Sequence, residues 1–126
     1  MGQEYLIDTN TVIDYLDNKL TDGANKLIET ISSKMSVITR MELLSWPGAD
    51  TNQTAVLEKF IDGSFVYALD EPVIVKAIEI RKTNKTKLPD AVIAATALIN
   101  GLTLISINTK DFKNIPALDV ANPYEL

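Results

Sequence analysis

Neither cysteine nor histidine occurs in the 126 residues of this chain. The first absence excludes disulfides, thiolate nucleophiles and cysteine-ligated zinc, and it fits a reducing compartment. The second removes the histidine general base, the Ser-His-Asp triad and histidine-ligated zinc, and with them many hydrolase mechanisms. No apolar run approaches the roughly 18 residues needed to cross a bilayer, and the N-terminus lacks the basic region and apolar core of a secretory signal, so a cytoplasmic protein with no membrane association is expected. Basic charge is also short. Twelve Lys and Arg stand against 17 Asp and Glu, a net charge of -5. A surface of that average sign repels nucleic acid, so a nucleic-acid substrate would need a local basic patch and bound cations.

What is present is a chain that is 46% hydrophobic. That suffices for one buried core and is too short for two ordinary domains, so residues 1–126 read as a single domain without repeats or linkers. Short β-like runs alternate with helical patterns from end to end, which predicts an α/β fold: a central parallel sheet of about five strands in a three-layer α/β/α arrangement. Strands are expected at 5–7, 35–38, 65–67 and 102–105, with an edge strand at 118–120. The apolar spacing predicts helices over 9–17 and 22–32, a third opening at Thr39, and a fourth closed by Asp62-Gly63. Two more start at Glu71-Pro72 and Leu88-Pro89. Residues 91–99 are apolar nearly all round, so that last helix should be buried, with Gly101 capping its end.

Four acids occupy informative positions. Asp8 follows the run Tyr5-Leu6-Ile7, where an open α/β sheet places ligands beyond its strand ends. Glu42 and Asp111 also follow closely on predicted strands, and Asp90 sits in the first turn of the buried helix. Each has an ordinary structural reading. Asp8 and Asp111 can serve helix starts, Thr39-x-x-Glu42 has the spacing of a capping box, and an acid in a first turn complements the helix dipole. Taken together they say more. Carboxylates about 4 Å apart repel by roughly 4 kcal/mol per pair at an effective dielectric near 20, a cost a small domain tolerates only with compensation. Oxygen ligands without imidazole or thiolate suit Mg²⁺ or Mn²⁺, the ions of phosphate chemistry.

Asn10, Ser106 and Asn108 lie in the adjoining turns, where they can either orient a carboxylate or water or simply satisfy the turn. Arg81, Lys82, Lys85 and Lys87 form a basic run uninterrupted by acid. It reads either as a solvated helix end or, given its place just before Asp90, as an RNA contact. Trp46 is expected in core or dimer packing, with base stacking the lesser alternative.

The segments LIDTNTVIDYL, SVITRMELLSW, KLPDAVIAATAL and LTLISINTKDF, in that order, resemble the PIN-domain family, and in particular the VapC-type toxins of bacterial toxin-antitoxin pairs. The resemblance spans nearly the whole chain. It implies a ribonuclease with single-stranded RNA as substrate, an acidic site for Mg²⁺ or Mn²⁺, a homodimer, and a cognate antitoxin whose C-terminal segment covers the acidic cleft. The matching acids are Asp8, Glu42, Asp90 and Asp111, with Asp8, Asp90 and Asp111 as metal ligands and Asn10 and Ser106 in support. Asn108 stands where other members can carry a further ligand. Two other classes compete: a module that binds RNA or a partner without cutting, and an aspartyl-phosphate phosphotransferase or receiver with Asp8 as nucleophile. The latter usually needs a second aspartate two residues on, where this chain has Asn10.

Overall fold

A computed structural model describes residues 2–126. Strand β1 (Tyr5–Ile7) leads into α1 (Thr9–Leu16) and α2 (Asp22–Thr30), and β2 (Lys34–Ser36) into α3 (Val37–Leu44) and α4 (Thr51–Asp62). Then follow β3 (Phe65–Tyr67), α5 (Glu71–Thr83), α6 (Leu88–Ile99), β4 (Thr103–Ile105), the short α7 (Thr109–Phe112), β5 (Val120–Ala121) and a 3-10 turn at Pro123–Glu125. No helix among the described residues is long and apolar enough to cross a membrane.

All ladder pairings are parallel, as the alternation of strands and helices requires. The expected single sheet of about five strands is instead two ladders. One runs in the order β1-β4-β5 and the other joins β2 to β3, with β2 lying beside β1. β2 is only three residues long because the chain leaves it early. The sequence predicts a strand over 35–38, since Val37 and Ile38 are β-branched. Ser36 overrides that preference: its side chain accepts the Ile38 N-H as the N-cap of α3, and the helix begins at Val37. Thr39 therefore lies inside α3, and the predicted Thr39-x-x-Glu42 capping box does not form.

Alternation along the central strands builds two cores, one on each face. Leu6 and Leu104 pack with α5 and α6, in a cluster containing Val73, Ala77, Ile80, Ile93 and Phe112. Ile7 and Ile105 face the opposite way, onto Val12, Ile28, Met35, Leu43 and Leu57 from α1 to α4 and β2. These four strand residues are fully buried, each worth about 1.5–3 kcal/mol relative to exposure. The buried helix is α6: Ala91 through Ala97 are all inaccessible, and the Thr96 hydroxyl donates to the Val92 carbonyl at 2.7 Å. Gly101, at φ +66°, ends it. The Leu102 N-H reaches the Ala97 carbonyl and the Gly101 N-H the Leu98 carbonyl, the paired bonds of a Schellman cap.

Candidate active site

Register alone brings the first contact together. Ile7 pairs with Ile105, so the next residues, Asp8 and Ser106, meet where β1 and β4 end. The Asp8 N-H donates to the Ile105 carbonyl at 3.0 Å. Of its carboxylate oxygens, Oδ1 accepts the Thr9 N-H at 2.8 Å and Oδ2 accepts the Ser106 hydroxyl at 2.7 Å. Asp8 is thus the N-cap of α1, but an unusual one, being 4% exposed. Burial pushes its carboxyl above the usual aspartate range. The Ser106 and Thr9 hydrogen bonds oppose that shift without cancelling it, and the charges of Glu42 and Asp111 add to it.

Asp90 lies in the first turn of α6. Its carboxyl is also pushed up, first by burial and then by the negative charges of Asp8, Asp111 and Glu42, with Lys87 pulling the other way. Glu42 and Asp111 thus act on both Asp8 and Asp90, although the four predicted acids come from the end of β1 and from α3, α6 and α7. Glu42 and Asp111 are exposed on helix surfaces. Glu42 is held nonetheless: the Thr9 hydroxyl donates to its Oε1 at 2.7 Å, and the same hydroxyl lies 3.2 Å from the buried Thr39 hydroxyl.

The remaining predicted residues divide. Ser106 is fully buried and bridges two elements, since its oxygen also accepts the Asn108 N-H at 3.0 Å. Asn108 contributes that backbone group as the N-cap of α7, without a side-chain cap bond. Asn10 is exposed on the first turn of α1, and the bonds to Asp8 come from Thr9 and Ser106 in its place. The basic run splits. Lys87 is the N-cap of α6 and acts on Asp90, whereas the Arg81 Nε donates to the Thr86 carbonyl at 3.2 Å and braces the loop between α5 and α6. Lys82 and Lys85 are exposed. Trp46 is 41% exposed, outside the core, and lines an apolar groove with Ile13, Leu16, Val56 and Leu57.

Thr9 and Thr39 were not distinguished by the sequence. The signal was present: once Thr39 is inside a helix, its spacing to Glu42 puts both on one face.

The donor set fits a hard divalent cation. It consists of carboxylate oxygens alone, and none of the four acids belongs to the ion pairs among the described residues, which join Lys19 to Asp17, Lys34 to Glu4 and Lys76 to Glu79. No three acidic side chains among the described residues are gathered into a ready-made ligand cluster. Asp8, Asp90 and Asp111, the expected metal ligands, are thus not brought together around one point.

The PIN domain family profile matches residues 5–118. The fold superposes on a toxin-antitoxin complex from Klebsiella pneumoniae with a TM-score of 0.79 at 30% identity, over 98% of this chain and 100% of that one. DNA-bound VapBC from Salmonella typhimurium gives 0.82 at 26% identity, over 95% and 98%. FitAcB from Neisseria gonorrhoeae gives 0.71 at 27%, over 97% and 99%. No curated protein sequence matches the chain closely enough to count as a relative.

Proposed function

The chain belongs to the PIN domain family, with its likeness to the VapC-type members, and from that premise we propose that it is a Mg²⁺- or Mn²⁺-dependent ribonuclease, the toxin of a toxin-antitoxin pair. In this reading it works in the cytoplasm as a single domain, pairs into a homodimer and is held silent by a cognate antitoxin. The observation that carries the reading is that Asp8, buried where β1 ends and bonded by the Thr9 N-H and the Ser106 hydroxyl, is joined through Thr9 to Glu42, so that like charges face one another without a basic ion-pair partner among the described residues. Mutual repulsion of this kind is relieved by a cation from outside the chain.

Asp8, Asp90 and Asp111 would hold the cation, directly or through water, and Glu42 would join them or orient the attacking water. When bound, the cation supplies Lewis-acid neutralisation of charge at the scissile phosphate and makes water acidic enough to attack near neutral pH. The side chains do the positioning. The Thr9 N-H and Ser106 hydroxyl fix both oxygens of Asp8, leaving lone pairs free, and Glu42 would orient the attacking water and receive its proton. Lys87, beside Asp90, would meet the RNA backbone, with Lys82 and Lys85 extending the contact and Arg81 shaping the loop that presents them. Water would add to phosphorus as its proton passes to Glu42, and the P–O3′ bond would break with the 3′ oxygen taking a proton from solvent water, giving a 5′-phosphate and a 3′-hydroxyl. An antitoxin segment carrying a basic side chain would neutralise the same acids, which accounts for inhibition by a protein partner.

Purified protein with single-stranded RNA and Mn²⁺ tests this. Cleavage should stop on chelation, and Asp8→Asn and Asp90→Asn should lose it while keeping wild-type circular dichroism. Undiminished cleavage by either variant refutes the assignment.

A further inference from the structure

We infer that Thr9 is a positioning residue that sets Glu42 against Asp8, its hydroxyl backed by that of Thr39. The inference deepens the reading above and rests on it.

Thr9 occupies the first residue of α1 and serves two acids with two different groups. Its backbone N-H binds Asp8 at 2.8 Å, and its hydroxyl binds Glu42 at 2.7 Å. Its side chain carries a single proton. The shorter contact, to a charged acceptor, takes that proton, and the Thr39 hydroxyl donates across the 3.2 Å contact behind it. The result is a short chain from Thr39 through Thr9 to Glu42, in which each bond polarises the next. Thr39 is fully buried, so the chain is anchored in the fold, whereas Glu42 is exposed and rotamer-rich. An exposed glutamate pays conformational entropy each time it is brought to a ligand. The hydroxyl lowers that cost by tethering Oε1 to the residue whose N-H donates to Asp8.

Calorimetric titration of Mn²⁺ into the full chain, without RNA, tests the inference in Thr9→Val, Thr9→Ser, Glu42→Ala and the Thr9→Val/Glu42→Ala double variant. Valine keeps the shape and the N-H that serves Asp8, so only the hydroxyl is lost. Affinity should fall about 10-fold, the scale of an outer-shell partner, and Thr9→Ser should recover most of it. In the Glu42→Ala background, Thr9→Val should add nothing, because the group through which it acts is gone. On RNA, kcat should fall with KM little changed. Thr9→Ala carries the same expectation if valine disturbs packing. Wild-type Mn²⁺ affinity in both Thr9→Val and Thr9→Ala, or losses that add in the double variant, overturns the inference. Asp90→Asn separates the two levels: if it binds Mn²⁺ as wild type does, the metal-site reading falls and takes the inference with it. If Asp90→Asn is deficient while the Thr9 variants are not, the inference falls alone.

Discussion

The starts of α1, α4 and α5 are built alike and placed differently. Each has an aspartate as N-cap. Asp50 accepts the Gln53 N-H at 2.7 Å and completes a capping box, with the Gln53 side chain reaching back to the Asp50 N-H at 3.0 Å. Asp70 accepts the Val73 N-H at 3.2 Å. Both are exposed, so water solvates what the helix leaves unsatisfied. Asp8 accepts one helix N-H as they do, but it is buried, takes a second bond from Ser106, and faces other acids. The cap is the same local device in all three. What distinguishes Asp8 is the charge it must bear out of water, and on that ground the proposed function assigns chemistry to Asp8 and not to the other two caps.

The sharpest way to break that comparison is to remove one carboxylate charge at a time. Asn caps a helix about as well as Asp. Asp8→Asn should therefore lower RNA cleavage by at least about 100-fold, whereas Asp50→Asn and Asp70→Asn should cleave as wild type does in the same assay. Equal losses at all three would mean that the α1 cap is only a cap. A smaller effect concerns stability. Saturating Mn²⁺ at 100 times its dissociation constant should stabilise the folded chain by about 2.7 kcal/mol, read as a rise in Tm. Asp50→Asn should keep that rise and Asp90→Asn should lose most of it.

Much of this was legible in the sequence, for reasons that can be named. Leu6, Ile7, Leu104 and Ile105 alternate between two buried faces, so apolar runs ending in Asp8 and Ser106 identified parallel strands that finish at a common edge. The all-round apolarity of residues 91–99 announced the burial of α6, and Gly101 its end. The failures are equally local. Val37 and Ile38 carry strand propensity, but one hydrogen bond from the Ile38 N-H to Ser36 outweighs it, and that shift moved Thr39 from a cap into a helix. The same shift changed the role of Glu42, which is bonded across the fold to Thr9 instead of to its own helix start. Arg81 read as one member of a basic run, and only the turn after α5 shows that the Thr86 carbonyl engages it. Pairings between residues far apart in sequence carry no periodic signal, so no window of residues could have found them.

Asp90→Asn also probes the free energy stored in the site. Asp8 and Asp90 hold their protons more tightly folded than unfolded. As pH rises through the ordinary aspartate range, the unfolded chain releases these protons first, so the folded state binds more of them and stability falls with pH until the folded carboxyls have ionised. Stability contributed by the neutral form is thus present in acid and lost toward neutrality. In chelator, Asp90→Asn should raise Tm at pH 7, modestly because solvent screens the half-buried carboxyl. The gain should shrink as pH falls below the ordinary aspartate range, where both proteins carry a neutral side chain.

The exposed caps set the lower limit of the comparison. Asp50→Ala removes a capping-box acceptor and should cost about 1 kcal/mol, with cleavage unchanged. Its sign is opposite to that of Asp90→Asn, and the contrast is the point. At an exposed helix start a carboxylate stabilises the fold because its hydration is only partly exchanged for a backbone donor. At Asp90 a carboxylate should destabilise the fold, because part of its hydration is lost and the acids acting on it are of like charge. If chemical denaturation at pH 7 shows Asp50→Ala and Asp90→Asn both destabilising by similar amounts, Asp90 is one more helix-start acid, and the metal-free site stores nothing that a cation would release.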